Sequence, residues 1–479
     1  MAWDDVKGSG DLIRSSDWNS MVSDQKSRLL SVFDDPSPTL SSDLNANNHT
    51  ILNLLTLTVG GNPVLTATPA ERVIYIDNVN GDDTSGDGSE ANPYKTVSRA
   101  KQDIPDSITY PITIHMKASP NTYDGFVLMN KVFTNTSGSL TVEGEMSVMD
   151  SGTISSYQYY ASDPTYPDAH VLKVVDNSKS WTNNQFKDKL IQIFDSNGNQ
   201  IHEALIESNT SDTLYIPHMY YGDITNFTYK ILDWATTCEK VQLAYIPGSV
   251  TVRNLHLENN TYYQVYLKNV AYTVVKYCKI DKTGDKKTAV YVNATALSLN
   301  ESVLYGHDLN YDGISAGYGT PIYVFIVGTF FRDFRYAVNL SGTQALIFFR
   351  DGCRITTSSN SSIARGGIFL NNPGANMSCY SPRGNPVIDC LGTAIILKNT
   401  TVQYENFIVY GPNVETKKDY QFSQEQTAGT IYFKAPVITG TAPSSSSSSG
   451  VKGQIAWDSN YLYVCVDTNT WKRVGLNNF

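Results

Sequence analysis

The sequence predicts an all-β fold: a parallel β-helix, or solenoid, with a short N-terminal helix, a small inserted β module and a small C-terminal β tip. A recurring phrase carries the prediction. Two or three apolar residues at alternating or adjacent positions, then a small polar residue, appear as Val265-Tyr266-Leu267-Lys268-Asn269, Val290-Tyr291-Val292-Asn293, Ile314-Ser315-Ala316-Gly317, Val338-Asn339-Leu340-Ser341, Ile368-Phe369-Leu370-Asn371 and Ile395-Ile396-Leu397-Lys398-Asn399. Anchored on Leu267, Val292, Ala316, Leu340, Leu370 and Leu397, the steps are 25, 24, 24, 30 and 27 residues. Such steps are too long for a hairpin meander and carry no helical period, but they suit stacked coils. Composition agrees: 17% of the 479 residues are charged and 31 are Tyr, a balance that favours strands joined by polar turns.

Each coil is a set of short strands whose inward side chains are buried only when a neighbour stacks on them, about 4.8 Å away along the hydrogen bonds. Asn after the apolar run suits a corner, because it tolerates left-handed backbone geometry and its amide can bond to the equivalent group one coil away. Gly317 to Pro321 and Asn372 to Pro386 read as loops leaving the coil. A net charge of −10 argues against a nucleic-acid partner. No run approaches the roughly 18 apolar residues of a membrane span, so membrane insertion is not expected, and Met1 to Lys7 is too polar to open a signal peptide. The six cysteines show no CxxC or paired Cys/His spacing and read as free thiols packed inside coils. No cofactor and no metal are expected.

Along the chain, residues 1–39 hold one helix, with Ser15 and Ser16 as N-caps and Trp18, Met21, Val22, Gln25 and Leu29 on one face. One helix of this size needs a partner for its stripe. Residues 40–70 read as short strands with Asn-rich turns that gain a core by wrapping around copies of themselves, an intertwined trimeric stem. Residues 71–170 open the β-helix with a cap and first coils: Val73-Ile74-Tyr75-Ile76-Asp77, an acidic glycine loop, and a short helix near Pro93 to Ala100 that covers the open coil. Residues 171–233 break the rhythm with several short strands and tight turns, and read as an inserted β-barrel-like module. The main β-helix is 234–440, a Ser-rich linker 441–450, and the C-terminal β tip 451–479.

Several of these phrases resemble viral proteins. Leu40-Ser41-Ser42-Asp43-Leu44-Asn45-Ala46-Asn47 with Ile51-Leu52-Asn53-Leu54 resembles a phrase of tail fibres and tailspikes of bacterial and archaeal viruses. Asp11-Leu12-Ile13 with Ser16-Asp17-Trp18-Asn19 looks like the virion-attachment end of such proteins, and Gly453-Gln454-Ile455-Ala456-Trp457 through Trp471-Lys472-Arg473 is similar to their terminal element. Pro93-Tyr94-Lys95-Thr96-Val97 resembles the opening of pectate-lyase-like β-helices, which implies a right-handed winding. The 171–233 stretch looks like inserts of other viral β-helix proteins at Ser180-Trp181-Thr182.

The resemblance implies a homotrimeric receptor-binding protein of the virion tail. Its N-terminal segment would meet a baseplate or tail protein, and it would attach the particle to a host surface glycan or protein. The alternative is a tailspike depolymerase, a glycoside hydrolase or polysaccharide lyase working on the β-helix face. Hydrolysis needs two carboxyl groups roughly 5 to 9.5 Å apart, which acids stacked one or two coils apart supply. Glu301, Asp333, Asp351 and Asp389, in successive coils, are the candidates. Trp457, Tyr461, Tyr463 and Trp471 at the tip are candidates for receptor binding, and Tyr262, Tyr263, Tyr266, Tyr272 and Tyr277 are further aromatics able to stack on sugars. Asp82, Asp83, Asp87 and Glu90 read as a solvated turn rather than a Ca²⁺ loop, since they miss the EF-hand spacing. Gly313-Ile314-Ser315-Ala316-Gly317 matches a nucleophile elbow only in letters: it falls on a coil anchor without the strand-to-helix turn that exposes the serine.

Overall fold

The computed structural model describes residues 56–476, apart from 60–61, 67–69, 134–136, 166–169, 219, 221, 260–262, 283–287, 294, 308–310, 318–321, 342–344, 357–365, 372–375, 380–386, 390–394, 399–400, 405–407, 411–430, 434–441 and 451–454. The expected N-terminal helix and most of the 40–70 stem lie outside the described residues. Within the stem, Thr56–Val59 and Asn62–Thr66 pair antiparallel.

From Arg72 the chain winds into a parallel β-helix of about nine turns, almost without helix. A regular coil supplies three strands, as in Val290–Asn293, Ala296–Asn300 and Val303–Tyr305, followed one coil on by Asp312–Ala316, Ile322–Val327 and Phe330–Arg332. Each strand pairs in parallel with its counterpart in the next coil. The anchors of the sequence repeat stand in register: Leu267 pairs with Val292, Val292 with Ala316, Leu340 with Leu370 and Leu370 with Leu397. Leu267, Val292, Ile314, Val338 and Leu340 are fully buried in one continuous core. Burial of each such side chain stabilises the stack by roughly 1.5–3 kcal/mol.

The polar residue after the apolar run does not have one role. Asn269 does take a left-handed corner (φ +52), in line with Asn130 and Tyr245 of the coils before it. Asn293 instead ends its strand opposite Lys268 rather than Asn269, and Asn339, within its apolar run rather than after it, donates from Nδ2 to Asp312 of the preceding coil at 2.7 Å. The register sets Ser315 beside Asn339, so no like amide is there to receive it. The expected excursion from Asn372 to Pro386 also contains a coil strand, Asn376–Cys379, paired with Ala345–Arg350. Its four residues were too short and too polar to read as a strand.

At the corner between second and third strands, four successive coils repeat a small inward residue, Cys278, Ser302, Thr329 and Cys353, each buried and just ahead of the third strand. Ser302 Oγ donates to the Asn300 carbonyl, Thr329 Oγ1 to that of Val327, Cys278 Sγ to that of Lys276 and Cys353 Sγ to that of Arg350. These side chains give a second donor to corner carbonyls that also accept from the backbone amides of Asn254, Tyr277, Glu301 and Gly328. Cys238, Cys278, Cys353 and Cys465 are free and buried, although Cys465 lies in the tip and not in a coil.

The cap helix is Val97–Gln102, begun by Thr96, whose hydroxyl accepts from Arg99 N. Acids of the preceding loop hold backbone amides: Asp82 Oδ1 accepts from Thr84 N, Asp83 Oδ1 from Lys95 N and Thr96 N, and Asp87 Oδ1 from Ser89 N.

The inserted module is two four-stranded antiparallel sheets around Ile154, Leu172, Val174, Phe186, Ile191, Ile193 and their neighbours. It includes Met146–Thr153 and Ser156–Ser162, so it starts well ahead of residue 171. Those strands are largely exposed, with Val148 and Met149 outward, which hid them from an apolar pattern. The chain leaves the coils after Gly144 and rejoins them at Thr237–Cys238, the first strand of the eight-stranded third sheet.

The tip is a three-stranded antiparallel sheet of Ile455–Trp457, Tyr461–Asp467 and Thr470–Gly475. The serine run expected as a linker is bonded to it: Trp471 N donates to Ser446 O and its Nε1 to Ser448 O.

Candidate functional site at the module joint

The corner that carries the small-residue ladder also sets the site. Arg253, Lys276, Asn300, Val327 and Arg350 pair in succession down the second sheet. The residue after each takes a left-handed backbone: Asn254 (φ +59), Tyr277 (+52), Glu301 (+41), Gly328 (+53) and Asp351 (+36). Glu301 and Asp351 therefore share one corner two coils apart. Two steps of about 4.8 Å put their backbones about 9.6 Å apart.

The module closes over this corner. His218 Nδ1 is 2.5 Å from Glu301 Oε1, and His218 Nε2 is 4.0 Å from Asp351 Oδ2. One imidazole thus stands between two carboxyl groups. Gly328 and Gly352 let it approach: a Cβ on Gly328 would meet Glu301 Oε1 at 2.2 Å, and one on Gly352 would meet Pro217 C at 2.7 Å. Glu301 is 4% exposed and Asp351 9%. Burial pushes the Glu301 carboxyl above its ordinary range, and the neighbouring His218 offsets this in part. With His218 in place a sugar has no access to either group, so the arrangement works as a joint.

Around it lies a larger interface between the module and the outer face of the third sheet. Arg332 Nη2 donates to Asp188 Oδ1 at 2.5 Å and Tyr305 OH to Asp188 Oδ2 at 2.8 Å. Arg354 pairs with Asp163 and Glu207, each at 3.2 Å, and is wholly buried. Leu205 packs with Val303 and Phe330, while Leu190 and Leu232 pack with Tyr277. Lys276 Nζ meets Glu203 Oε1 at 2.7 Å, and Trp234 Nε1 donates to the Tyr277 carbonyl at 2.7 Å. Buried ions like these fix orientation more than they stabilise, because their desolvation offsets their attraction.

The four acids named from sequence divide between two corners. Asp333 follows the third strand Phe330–Arg332, with its backbone at φ +59 and its amide donating to Thr356 O. Asp389 ends the third strand Val387–Asp389, opposite Thr356. Neither joins Glu301 and Asp351. At the tip, Trp471 and Tyr463 are buried in its core, the latter donating to Asp458 Oδ2 at 2.7 Å. Trp457 is 41% exposed, and Tyr461 is half-buried with the Arg473 guanidinium 4.1 Å from its ring centroid.

His218, Asp188, Glu207, Arg332 and Arg354 were missed in the sequence. They and Asp163 lie in module and coils, Arg354 and Asp163 being 191 residues apart, and no local spacing joins them. A second bridging histidine, His115, sits between Glu143 (2.8 Å) and Glu145 (3.1 Å), and its bond to Glu143 first of all holds it protonated above its usual range.

No family model matches the chain. Over 157 residues, 31% of this chain, it is 31% identical to the capsule K30/K69-specific Depolymerase 1 of Klebsiella phage K5-2; that stretch is 19% of the relative's length. Over 37 residues, 8% of this chain and 5% of the relative, it is 51% identical to the capsule K30/K69-specific depolymerase of Klebsiella phage K64-1. A solved glycoside hydrolase superposes with a TM-score of 0.38 at 9% identity, covering 75% of this chain and 96% of that one. The gp54 tailspike of Acinetobacter baumannii bacteriophage AP22, solved with a capsular saccharide, gives 0.18 at 9% identity, covering 67% and 72%. Neither superposition is close enough to carry an argument. Over about a third of its length the chain is thus similar to a phage capsule depolymerase, of which it spans less than a fifth.

Proposed function

We propose that this chain is part of a phage tail protein that attaches the particle to capsular polysaccharide on the outside of its host. The sequence shared with two capsule depolymerases of Klebsiella phages carries this reading. The structure supports it physically: a β-helix offers long outward strands with solvated side chains, a form suited to an extended polymer. The protein acts as a homotrimer, with its N-terminal segment on a baseplate or tail protein, because several weak saccharide contacts on one particle multiply into firm adsorption.

Cleavage of the polymer is the second reading. One observation favours it: Glu301 and Asp351 stand two coils apart at one corner, and burial pushes the Glu301 carboxyl above its ordinary range, the direction a general acid requires. For this reading His218 has to withdraw and admit a sugar. The test incubates the protein with purified capsular polysaccharides, the K30 and K69 types included, and records both binding and new reducing ends. Attachment predicts binding without new ends. New ends that disappear in Asp351→Asn would establish cleavage, and binding to none of the polymers would sink the proposal.

A further inference from the structure

The outward face of the first sheet carries a cluster of rings that the module joint does not use. Tyr266 and Tyr291 stand in register on adjacent coils, with ring centroids 5.3 Å apart and planes 6° apart. Tyr263 leans on both, at 5.5 and 4.8 Å. Their strand neighbours Val265, Leu267, Val290 and Val292 point inward and are fully buried, so the rings take the opposite face and stay half-buried. The stacked pair is bounded on both sides: the register places Gln242 before Tyr266 and Ser315 after Tyr291. A short side chain beside a stacked ring leaves a step, floored by the hydroxyls of Ser315 and Thr288, which are bonded to each other at 2.7 Å.

One cation stands at the edge of this cluster. Lys268, two residues beyond Tyr266 on the same face, holds its Nζ 5.1 Å from the ring centroid of Tyr245, which is 43% exposed. The Tyr245 side chain first of all, and then Tyr266 and Tyr291, push the Lys268 ammonium above its ordinary range. The nearby Asp312 carboxylate is tied down by Arg335 (2.7 and 2.9 Å) and Asn339 (2.7 Å), which removes it as a source of repulsion for an anion. Aromatic faces and edges attract the C–H faces of pyranose rings, phenol hydroxyls donate and accept with sugar hydroxyls, and an ammonium selects a carboxylate.

We propose that Tyr263, Tyr266 and Tyr291, with Lys268, form a saccharide-binding platform that takes a carboxylated sugar unit of the polymer. The proposal deepens the attachment reading and rests on it. The step is well matched to a polysaccharide lying along the solenoid axis, since one coil advances by a distance close to one sugar ring.

The test uses the full chain and oligosaccharides cut from the same capsular polysaccharides, sorted into those with and without a carboxylated sugar. Titration calorimetry should show Tyr266→Ala and Tyr291→Ala each weakening binding by about tenfold, the order of a lost stacking contact. Tyr291→Phe should retain most of the affinity. Lys268→Met should weaken the carboxylated ligands selectively. As a check independent of the variants, bound oligosaccharide should protect Tyr266 and Tyr291 of the unmodified protein from nitration, mapped by mass spectrometry. Binding that persists unchanged in the variants, with nitration unprotected, overturns the platform and leaves the attachment reading standing. Unmodified protein that binds no polysaccharide overturns both.

Discussion

Glu301 and Asp351 occupy one left-handed corner two coils apart, and the residue between them in the stack, Gly328, has no side chain. The Glu301 carboxylate lies over that gap, and His218 of the inserted module meets it 2.5 Å away. The backbone conformation that turns the coil also presents the acids outward, and the glycine supplies the room. A joint of this kind couples the position of the module to the ionisation of one buried carboxyl group.

Removing that ionisation should therefore change the pH dependence of stability. Burial raises the Glu301 pKa in the fold, so the folded chain keeps this proton to higher pH than the unfolded chain does. This contribution is fully present below the ordinary glutamate pKa and is lost as pH rises toward the raised folded value. Glu301→Gln keeps the shape and an acceptor for His218 Nδ1 but cannot ionise. The variant should be more stable than the parent at pH 7, on the order of 1 kcal/mol, with the difference vanishing toward pH 4. Thermal melts of both proteins across that range check it; a constant difference would remove Glu301 as the titrating group.

Gly328→Ala should be costly, and Gly198→Ala supplies the control. Both glycines have positive φ, +53 and +80. A Cβ at Gly198 meets nothing within 4 Å, whereas at Gly328 it meets the Glu301 carboxylate at 2.2–2.4 Å. The left-handed backbone alone costs about 1 kcal/mol for a non-glycine residue, and expulsion of the pinned Glu301–His218 pair adds to it. Gly198→Ala should lower stability by about 1 kcal/mol and Gly328→Ala by about 3 kcal/mol. Equal shifts in melting temperature would mean that Glu301 relaxes freely.

The coil register was legible in the sequence because inward positions such as Leu267, Val292 and Leu340 are apolar in coil after coil, and stacking forces their spacing to repeat. The strands Met146–Thr153 and Asn376–Cys379 were not legible, since exposed or short strands impose no apolar alternation. Of the joint, the acids Glu301 and Asp351 could be named from their coil positions. Their partner His218 could not, because contact between an insertion and the coil it covers depends on how the module folds back, and neighbouring residues carry no record of it. The aromatics divided similarly: Tyr266 could be named as a ring able to stack on sugars, but only the register brings Tyr291 against it as a stacked pair.

The cysteines of the coils should be unreactive for a reason specific to their ladder. Cys278 and Cys353 occupy the position held by Ser302 and Thr329 in the coils between them, and each sulfur meets a corner carbonyl. Burial pushes the thiols up, to about 12 for Cys278 and Cys353 and about 11 for Cys238. At pH 8 the native protein should therefore leave these three unlabelled by iodoacetamide, with all three labelled in urea, as read by peptide mapping. Because the folded pKa is raised, these thiols add stability that is present below about pH 9 and is lost as pH climbs toward 11–12. The position needs a small donor rather than sulfur, so Cys278→Ser should fold with nearly unchanged stability while removing its share of that alkaline loss. Cys278→Ala leaves the Lys276 carbonyl without this donor and should cost about 1 kcal/mol. If alanine and serine behave alike, the ladder is a matter of volume and the hydrogen bonds at the corner contribute nothing measurable.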